Sequence, residues 1–164
     1  MNQNEDPVKD PVCEMMVNPQ DNVIEYQKMS FAFCSKQCQE RFLANPHLYI
    51  GIPGIKAPKQ EGREVIKRRR MHLSHTLSPD EITLVSEALR AMMGIKDLAI
   101  TQDTVEITYD LLQATLKQIE DKLIEIGIQL GGGWTERLQR AFLQESEELQ
   151  VESMEVTTTP HYRV

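Results

Sequence analysis

The residues with the clearest chemical potential in this sequence are its three cysteines, Cys13, Cys34 and Cys38, which all lie in the first quarter of the chain. An odd number of cysteines behind a polar, acidic N-terminus disfavours a disulfide framework, because such frameworks need paired thiols and an oxidising compartment. The ordinary alternative is that all three are small, inert core residues. Their clustering, with 20 and then three intervening residues, instead favours a shared metal ion.

The local sequence predicts elements that would bring these thiols together. Cys13 ends the proline-stiffened turn Asp10-Pro11-Val12-Cys13, and residues 22–33 have the alternating pattern of a β-hairpin. A short helix over 35–45 would place Cys34 and Cys38 on one face at its positive N-terminus, where thiolates are stabilised. Three convergent thiolates suit zinc, copper(I) or another soft metal ion.

The sequence leaves the fourth ligand of such a site open, although structural zinc prefers four. Nearby side chains with suitable atoms are Asp10, Glu14, His47, Met15, Met16 and Met29. Water, or no fourth ligand at all, is also an option, because copper(I) accepts soft thiolates in low coordination and an open position suits a transferred ion. His47 follows the proline that stops the predicted helix, and the alternative for it is an ordinary surface residue.

The same region resembles the YHS domain, a small metal-binding module related to TRASH domains. The matching residues are Asp10-Pro11-Val12-Cys13-Glu14-Met15, Phe31-Ala32-Phe33-Cys34-Ser35-Lys36-Gln37-Cys38, Arg41-Phe42 and Asn45-Pro46-His47-Leu48-Tyr49. The resemblance covers roughly residues 8–51 and implies that the three cysteines bind one soft metal ion. Two positions depart from the family pattern: Glu14 stands where Gly is usual, and Ala32 stands where Tyr or His is common.

Composition and periodicity divide the chain into six predicted segments. In order, they are a disordered tail (1–9), the YHS-like module (10–51), a Gly- and Pro-rich linker (52–63), a second domain (64–130), an amphipathic helix (131–150) and a flexible tail (151–164). A module of about 40 residues usually needs a metal or disulfides to stay folded. We therefore expect metal binding to supply folding free energy there.

Residues 64–130 show hydrophobic patterns in the order strand, helix, strand, strand, helix, strand, which is the ferredoxin-like plan. Ser78-Pro79-Asp80-Glu81 is a strong helix start, and Val105, Ile107 and Tyr109 alternate with polar residues as in a half-buried strand. In outline this domain resembles a heavy-metal-associated domain. That family's Cys-x-x-Cys loop is replaced by residues 77–81, which contain no cysteine. The resemblance therefore implies the fold without its metal site.

Two other features of the second domain have a functional and a structural interpretation. His72 and His75 are three apart on a predicted strand, so they point to opposite faces and make a poor ligand pair. The run Lys67-Arg68-Arg69-Arg70 is the chain's only basic run and could contact nucleic acid. No aromatic side chains interleave it, and the net charge is −7, so pairing with Glu106 and its strand neighbours is favoured.

The predicted C-terminal helix has one apolar stripe, formed by Trp134, Leu138, Phe142 and Leu149. We expect this stripe to cover the open face of the second domain's own sheet. A homodimer contact is the alternative.

Composition also limits where the protein works. Hydrophobic residues make up 40% of the chain, but no window of about 20 apolar residues occurs, so no membrane span is predicted. The N-terminal residues lack the pattern of a secretory signal. We therefore expect a cytoplasmic protein.

These observations predict an α+β protein: a small Cys-rich hairpin-and-helix module joined to a ferredoxin-like β-α-β-β-α-β domain with a C-terminal helix. The predicted function is binding of zinc, copper or another heavy metal for handling, sensing or delivery, with a metal transporter or another protein as a candidate partner. The alternative is a structural zinc module in an interaction or regulatory protein, with nucleic-acid contact less favoured. No nucleophile–base pair, phosphate loop or convergent carboxylate pair is apparent, so we do not expect an enzyme.

Overall fold

The computed structural model describes residues 5–157, and its strands and helices fall into two units. Within that range the first unit contains residues 5–63 and 151–157, and the second contains residues 64–150. Small antiparallel sheets occur in both units, and the described part of the chain has four α-helices. The prediction of a mixed α and β protein is therefore confirmed at that level.

Two short hairpins form the sheets of the first unit. Strand β1 (Val8–Lys9) pairs with β2 (Met16–Val17), and β3 (Ile24–Tyr26) pairs with β4 (Met29–Phe31), both antiparallel. The first pairing includes two residues of the predicted disordered tail. The ordered chain therefore begins before residue 10, while residues 1–4 lie outside the described part.

The hairpin predicted over residues 22–33 is present, and its turn is unusual. Gln27 and Lys28 both have positive φ, at 49° and 63°, which is the conformation of a two-residue type I′ turn. Asn and Gly are the residues that adopt this turn most easily. The pairing of the flanking strands therefore determines the turn here, against the preference of its own residues.

Helix α1 (Lys36–Ala44) has clear boundaries. The Ser35 side chain accepts a hydrogen bond from the Cys38 N–H and so caps the first turn. Asn45 ends the helix, and Pro46–Leu48 continues as a single 3-10 turn. The helix predicted over 35–45 is thus confirmed, apart from its two capping residues.

Aromatic rings form the core of the first unit around Phe42, which is fully buried. Its ring centroid lies 5.0 Å from Phe31, 5.3 Å from Phe33, 5.8 Å from Tyr26 and 6.0 Å from Tyr49. Ring pairs in this range stabilise a core beyond the apolar area that they bury. The hairpin, α1 and the 3-10 turn therefore share one core.

The Gly- and Pro-rich segment 52–63 is not an extended linker. Ile52 and Ile55 form an isolated bridge, the Lys59 N–H donates to the Leu48 carbonyl at 2.9 Å, and Ala57 is fully buried. This segment folds back onto the first unit. The unit is therefore larger than the predicted module.

The second unit is built on a three-stranded antiparallel sheet. Its elements in chain order are β5 (Ile66–His72), α2 (Pro79–Arg90), β6 (Ile95–Thr101), β7 (Thr104–Asp110) and α3 (Leu116–Glu125). The sheet order is β5-β7-β6, with a register shift between Ile95 and Asp97. Beyond β5, Leu73 forms a single antiparallel bridge with Leu130, where the sequence predicts a short last strand.

Burial in the second unit follows the predicted patterns. Val105, Ile107 and Tyr109 on β7 are buried, and so are the inward-facing leucines and isoleucine of α2 and α3. Both helices begin with a capping box, in which Ser78 pairs with Glu81 and Thr115 with Gln118. The helix start predicted at Ser78-Pro79-Asp80-Glu81 is therefore confirmed.

The C-terminal helix packs with its polar side facing inward, whereas the apolar side was predicted to do so. Helix α4 (Trp134–Met154) extends beyond the predicted end at residue 150 and so includes the first residues of the predicted flexible tail. Residues 158–164 of that tail lie outside the described part. The members of its apolar stripe are exposed, while Glu147 is buried and Arg140 is partly buried. The expectation that the stripe covers the sheet is therefore wrong, because polar partners bind the other side of the helix.

A buried charge network replaces the expected apolar contact. Glu147 accepts hydrogen bonds from the Tyr109 hydroxyl and from the Leu116 N–H (2.8 Å), and its Oε2 lies 3.3 Å from Nη2 of Arg69. Burial, together with the Glu147 charge, raises the pKa of Tyr109, so this phenol remains a donor. Nearby, Glu120 on α3 accepts a hydrogen bond from Gln144 on α4.

No helix in residues 5–157 combines the length and the apolar character needed to cross a bilayer.

We predict that Glu147→Gln lowers the free energy of unfolding of the second unit by about 2–3 kcal/mol. The substitution keeps the volume but leaves Arg69 without its buried counter-charge. Glu87→Gln, at an exposed position on α2, is the matched control and should change this free energy by less than about 0.5 kcal/mol. Native-state amide exchange of β7 measures the effect. Equal stability of the two variants would show that the network does not hold α4.

Candidate metal centre

Four side chains of the first unit converge on one point. The Sγ atoms of Cys13, Cys34 and Cys38 and a carboxylate oxygen of Asp10 all lie within 4.8 Å of one another. The Cys34 Sγ lies 3.5 Å from each of the other two sulfurs, and all three cysteines are free thiols. The predicted convergence of the thiols is therefore present, while their role as metal ligands stays a prediction.

The loop between β1 and β2 positions Cys13. It is closed by hydrogen bonds from the Asp10 N–H to the Met15 carbonyl (2.8 Å) and from the Glu14 N–H to the Asp10 carbonyl (2.9 Å). Glu14 has a φ of 67°, in the left-handed region that favours glycine. Glu14, which stands where the family usually has Gly, therefore adds a side chain without changing the backbone conformation of the turn.

The end of the second hairpin positions Cys34, and the first turn of α1 positions Cys38. Just before Cys34, the Phe33 N–H donates to the Asp21 carbonyl (3.0 Å), and the Phe33 carbonyl accepts from Nδ2 of Asn22 (3.0 Å). These bonds fix the direction in which the chain enters the helix. The thiols of Cys34 and Cys38 are thereby held on the same side of the start of α1.

The Asp10 carboxylate fastens both halves of the site to each other. Its Oδ1 accepts the N–H groups of Val12 (2.7 Å) and Cys13 (3.2 Å), and its Oδ2 accepts the N–H of Cys34 (2.8 Å). Asp10 is fully buried, so these donors replace the water that an exposed carboxylate would bind. Only Oδ2 keeps a lone pair for a metal, because Oδ1 already accepts two hydrogen bonds.

The thiols differ in burial and in acidity. Cys38 is fully buried, whereas Cys13 and Cys34 are partly exposed. Burial raises the pKa of Cys34 to about 11. The hydrogen bond between Cys38 and Cys13 raises the pKa of Cys38 and lowers that of Cys13, and the nearby Asp10 charge opposes ionisation of both.

The donor set suits a soft or borderline cation. Three sulfurs and one carboxylate oxygen match the ligands that zinc accepts in a four-coordinate site, and three sulfurs alone match copper(I). Metal ligation requires thiolates, so binding must release protons and must weaken as the pH falls. A cation among the sulfurs would also offset the repulsion between the thiolates and the Asp10 carboxylate.

Glu14 and His47, two of the other candidate fourth ligands, are engaged elsewhere. The Glu14 carboxylate lies 3.5 Å from Nζ of Lys9 and 3.8 Å from Nζ of Lys59. The His47 ring contacts the Ile50 carbonyl through Nδ1 and the Tyr26 hydroxyl through Nε2, both at 3.1 Å. These contacts leave neither side chain directed at the thiols.

Within residues 5–157, the two histidines of the second unit belong to no cluster of ligand-type side chains like that around Asp10. Among the described residues, no other group of three His, Cys, Asp or Glu side chains comes as close together as the Asp10 cluster. His75 contacts Glu81 at 2.7 Å, and Nδ1 of His72 lies 3.4 Å from the Thr104 hydroxyl. Met15, Met16 and Met29 lie at exposed positions, and their ligand role stays a prediction.

The three arginines of the basic run on β5 have acidic partners inside the second unit. Arg68 and Arg70 lie 3.8 Å and 3.2 Å from the carboxylate of Glu106 on the neighbouring strand β7, and Arg69 pairs with Glu147. Cross-strand pairing with Glu106 was the favoured interpretation of this run, and the structure confirms it.

A family model described as the YHS domain matches residues 8–52. The match begins at β1 and ends after the 3-10 turn, so it contains the whole Asp10 cluster. The resemblance inferred from sequence is thereby confirmed for this part of the chain. No curated protein and no solved structure matches the chain. The proposed likeness of residues 64–130 to a heavy-metal-associated domain stays a prediction.

From the sequence, Asp10 is only a candidate fourth ligand, and its structural role is not evident there. A signal was available, because an Asp side chain often accepts the backbone N–H two residues further on, and this Asp precedes a proline-containing turn. The bond to Cys34 joins residues 24 apart in sequence and could not be read from local pattern. The tertiary fold alone reveals it.

We predict that Asp10→Asn lowers zinc affinity at least about tenfold, because one carboxamide oxygen cannot accept all three backbone N–H groups. Its NH₂ group would also face a backbone donor. Asp21→Asn, at an exposed position in the same unit, is the matched control and should leave the affinity unchanged. Competition with a chromogenic chelator measures both variants. If Asp10→Asn bound zinc with wild-type affinity, Asp10 would neither orient the cysteine ligands nor bind the metal itself.

Proposed function

We propose that this chain binds one soft metal ion through Cys13, Cys34 and Cys38, and that it handles, senses or delivers that ion. The observation that carries the proposal is the approach of three free thiols and a buried carboxylate to within 4.8 Å. The match of residues 8–52 to the YHS domain also supports it. Thiolate ligands favour zinc, copper(I) or a heavier ion over magnesium or calcium.

The burial of the thiols supports handling over a purely structural role. Cys38 is enclosed, but Cys13 and Cys34 are partly exposed, so a competing ligand can reach the ion from that side. Structural zinc sites are normally closed by four protein ligands. The structural-zinc alternative remains as the second candidate, because Asp10 Oδ2 can complete a four-ligand shell.

We also propose a ferredoxin-like assignment for the second unit. The strand order β5-β7-β6 and the Leu73–Leu130 bridge on the outer side of β5 support it, since together they follow the order 4-1-3-2 of that fold. The loop that carries ligands in heavy-metal-associated domains is here a helix cap, centred on Ser78 and Glu81. We therefore assign this unit to contact with a protein, such as a metal transporter, and not to chelation.

Catalysis and nucleic-acid binding are not part of the proposal. The sequence offers thiols suited to binding but no adjacent general base, and the arginines of the basic run are paired. The free state of all three cysteines is consistent with a reducing compartment, so the cytoplasm is the location that we propose.

We predict that Cys13→Ser, Cys34→Ser and Cys38→Ser each lower zinc affinity by at least about 100-fold, because a serine hydroxyl does not ionise to replace a thiolate ligand. His75→Ala removes a ligand-type side chain outside the cluster and should bind zinc like the wild type. Native mass spectrometry should give one zinc ion per wild-type chain and none in the serine variants. Unchanged binding in all three would refute the proposed site.

We further predict that a chelator removes the metal without abolishing amide protection in helix α1. The aromatic core around Phe42 and the bond from Lys59 to Leu48 do not involve the sulfurs, so they should survive metal loss. Hydrogen exchange with and without chelator tests this, and β7 amides in the second unit serve as the internal control. Loss of protection throughout the first unit alone would instead support the structural-zinc alternative.

A further inference from the structure

The outer face of α4 carries a row of large apolar side chains that nothing in the described part of the chain covers. Trp134 is 72% exposed, Phe142 68%, Leu149 59% and Leu138 55%. We call this row the outer stripe. Its members are four, four and seven residues apart, so at about 100° per residue they share one side of the helix.

The outer stripe lies opposite the side by which α4 is anchored. Arg140, Gln144 and Glu147 face Glu120, Tyr109 and the start of α3. These contacts fix the rotation of the helix, so it cannot turn its apolar side inward without breaking the buried ion pairs. The exposure of the outer stripe is therefore built into the fold.

The size of the outer stripe points to an interface. Its four side chains present roughly 500 Å² of apolar surface, which lies at the upper end for the largest patch on a monomeric protein. Two such faces placed together would bury on the order of 1,000 Å², which is the lower limit for a specific interface. The stripe thus has enough area for a weak dimer of this chain.

The charges beside the stripe indicate the partner and its direction. Arg137 and Glu148 lie on the same flank, five residues before and six residues after Phe142, whereas the other flank carries the uncharged Thr135 and Gln139. Glu145 is exposed and lies within the arc of the stripe itself. Neither Arg137 nor Glu148 makes an ion pair within residues 5–157. When two copies of a helix pack antiparallel, each flank of one helix contacts the same flank of the other.

An antiparallel copy of the same helix therefore places opposite charges together. Arg137 would face Glu148 of the partner subunit, and the two-fold axis would repeat this pair on the other side of Phe142. A parallel pair would instead align Glu145, Glu148 and Glu152 with their own copies, which is repulsive.

We propose that the outer stripe is the interface of a two-fold homodimer in which two α4 helices pack antiparallel. Phe142 lies next to the axis, and Trp134 packs against Leu149 of the partner subunit. The ion pairs between Arg137 and the partner's Glu148 set the direction. The interface uses no residue of the cysteine cluster, so dimerisation does not require a metal.

Sedimentation velocity of the full chain over about 1–200 µM tests the proposal, since that range spans the affinity expected for an interface of this size. The wild type should change from monomer to dimer within it, with or without chelator. Phe142→Glu should raise the dissociation constant at least about 100-fold, because it places two carboxylates at the axis. Ile124→Glu, at an exposed apolar position on α3, is the matched control and should dimerise like the wild type.

A charge reversal tests the direction of packing. Arg137→Glu and Glu148→Arg should each weaken the dimer at least about fivefold at low salt, and the double variant should recover the wild-type affinity. Circular dichroism should show unchanged helix content in every variant, because the altered side chains are exposed. A wild type that stays monomeric, a dimer indifferent to Phe142→Glu, or a double variant no better than the single ones would overturn the proposal.

Discussion

The acceptance of three backbone N–H groups by the buried Asp10 carboxylate is the interaction on which the candidate metal centre depends. Two of these donors belong to the Cys13 loop, and the third is the N–H of Cys34, from a different hairpin. The sulfurs are brought together because both backbones bind the same pair of oxygens. A buried anion is unfavourable without such donors, and a bound cation would stabilise it further.

The second unit uses buried carboxylates in the same manner. Asp110 is fully buried and accepts the N–H groups of Val65 (3.0 Å) and Leu112 (3.1 Å), so it ties the start of β5 to the end of β7 at one end of the sheet. Glu147 likewise binds the start of α3 and Arg69 of β5. Because Glu147 lies on the polar side of α4 and holds that side against the rest of the unit, the apolar side is left outside.

Local pattern predicted the elements well and their tertiary contacts poorly. Period and capping residues located the hairpin around Gln27, α1 behind Ser35 and α2 behind Ser78, because those signals act within a few residues. Cysteine spacing located the thiol cluster. The role of Asp10 and the folding-back of segment 52–63 depend on partners distant in sequence, which no local pattern encodes.

The orientation of α4 shows most clearly why pattern alone failed. The rule that the apolar stripe of an amphipathic helix faces inward assumes that the core offers apolar partners. Here the core presents Arg69 and the Tyr109 hydroxyl, which require an acceptor, and Glu147 supplies it. Satisfying buried polar groups outweighs the burial of Trp134 and Phe142, because unpaired charges in the interior are more costly than exposed rings.

X-ray absorption spectroscopy at the zinc edge of the zinc-loaded full chain tests the central claim most directly. If Cys13, Cys34 and Cys38 bind the ion together, the first shell contains three sulfur atoms at about 2.3 Å, with at most one oxygen or nitrogen ligand. A shell made only of nitrogen and oxygen atoms would contradict the account, because the metal would then lie away from the thiols that Asp10 holds together.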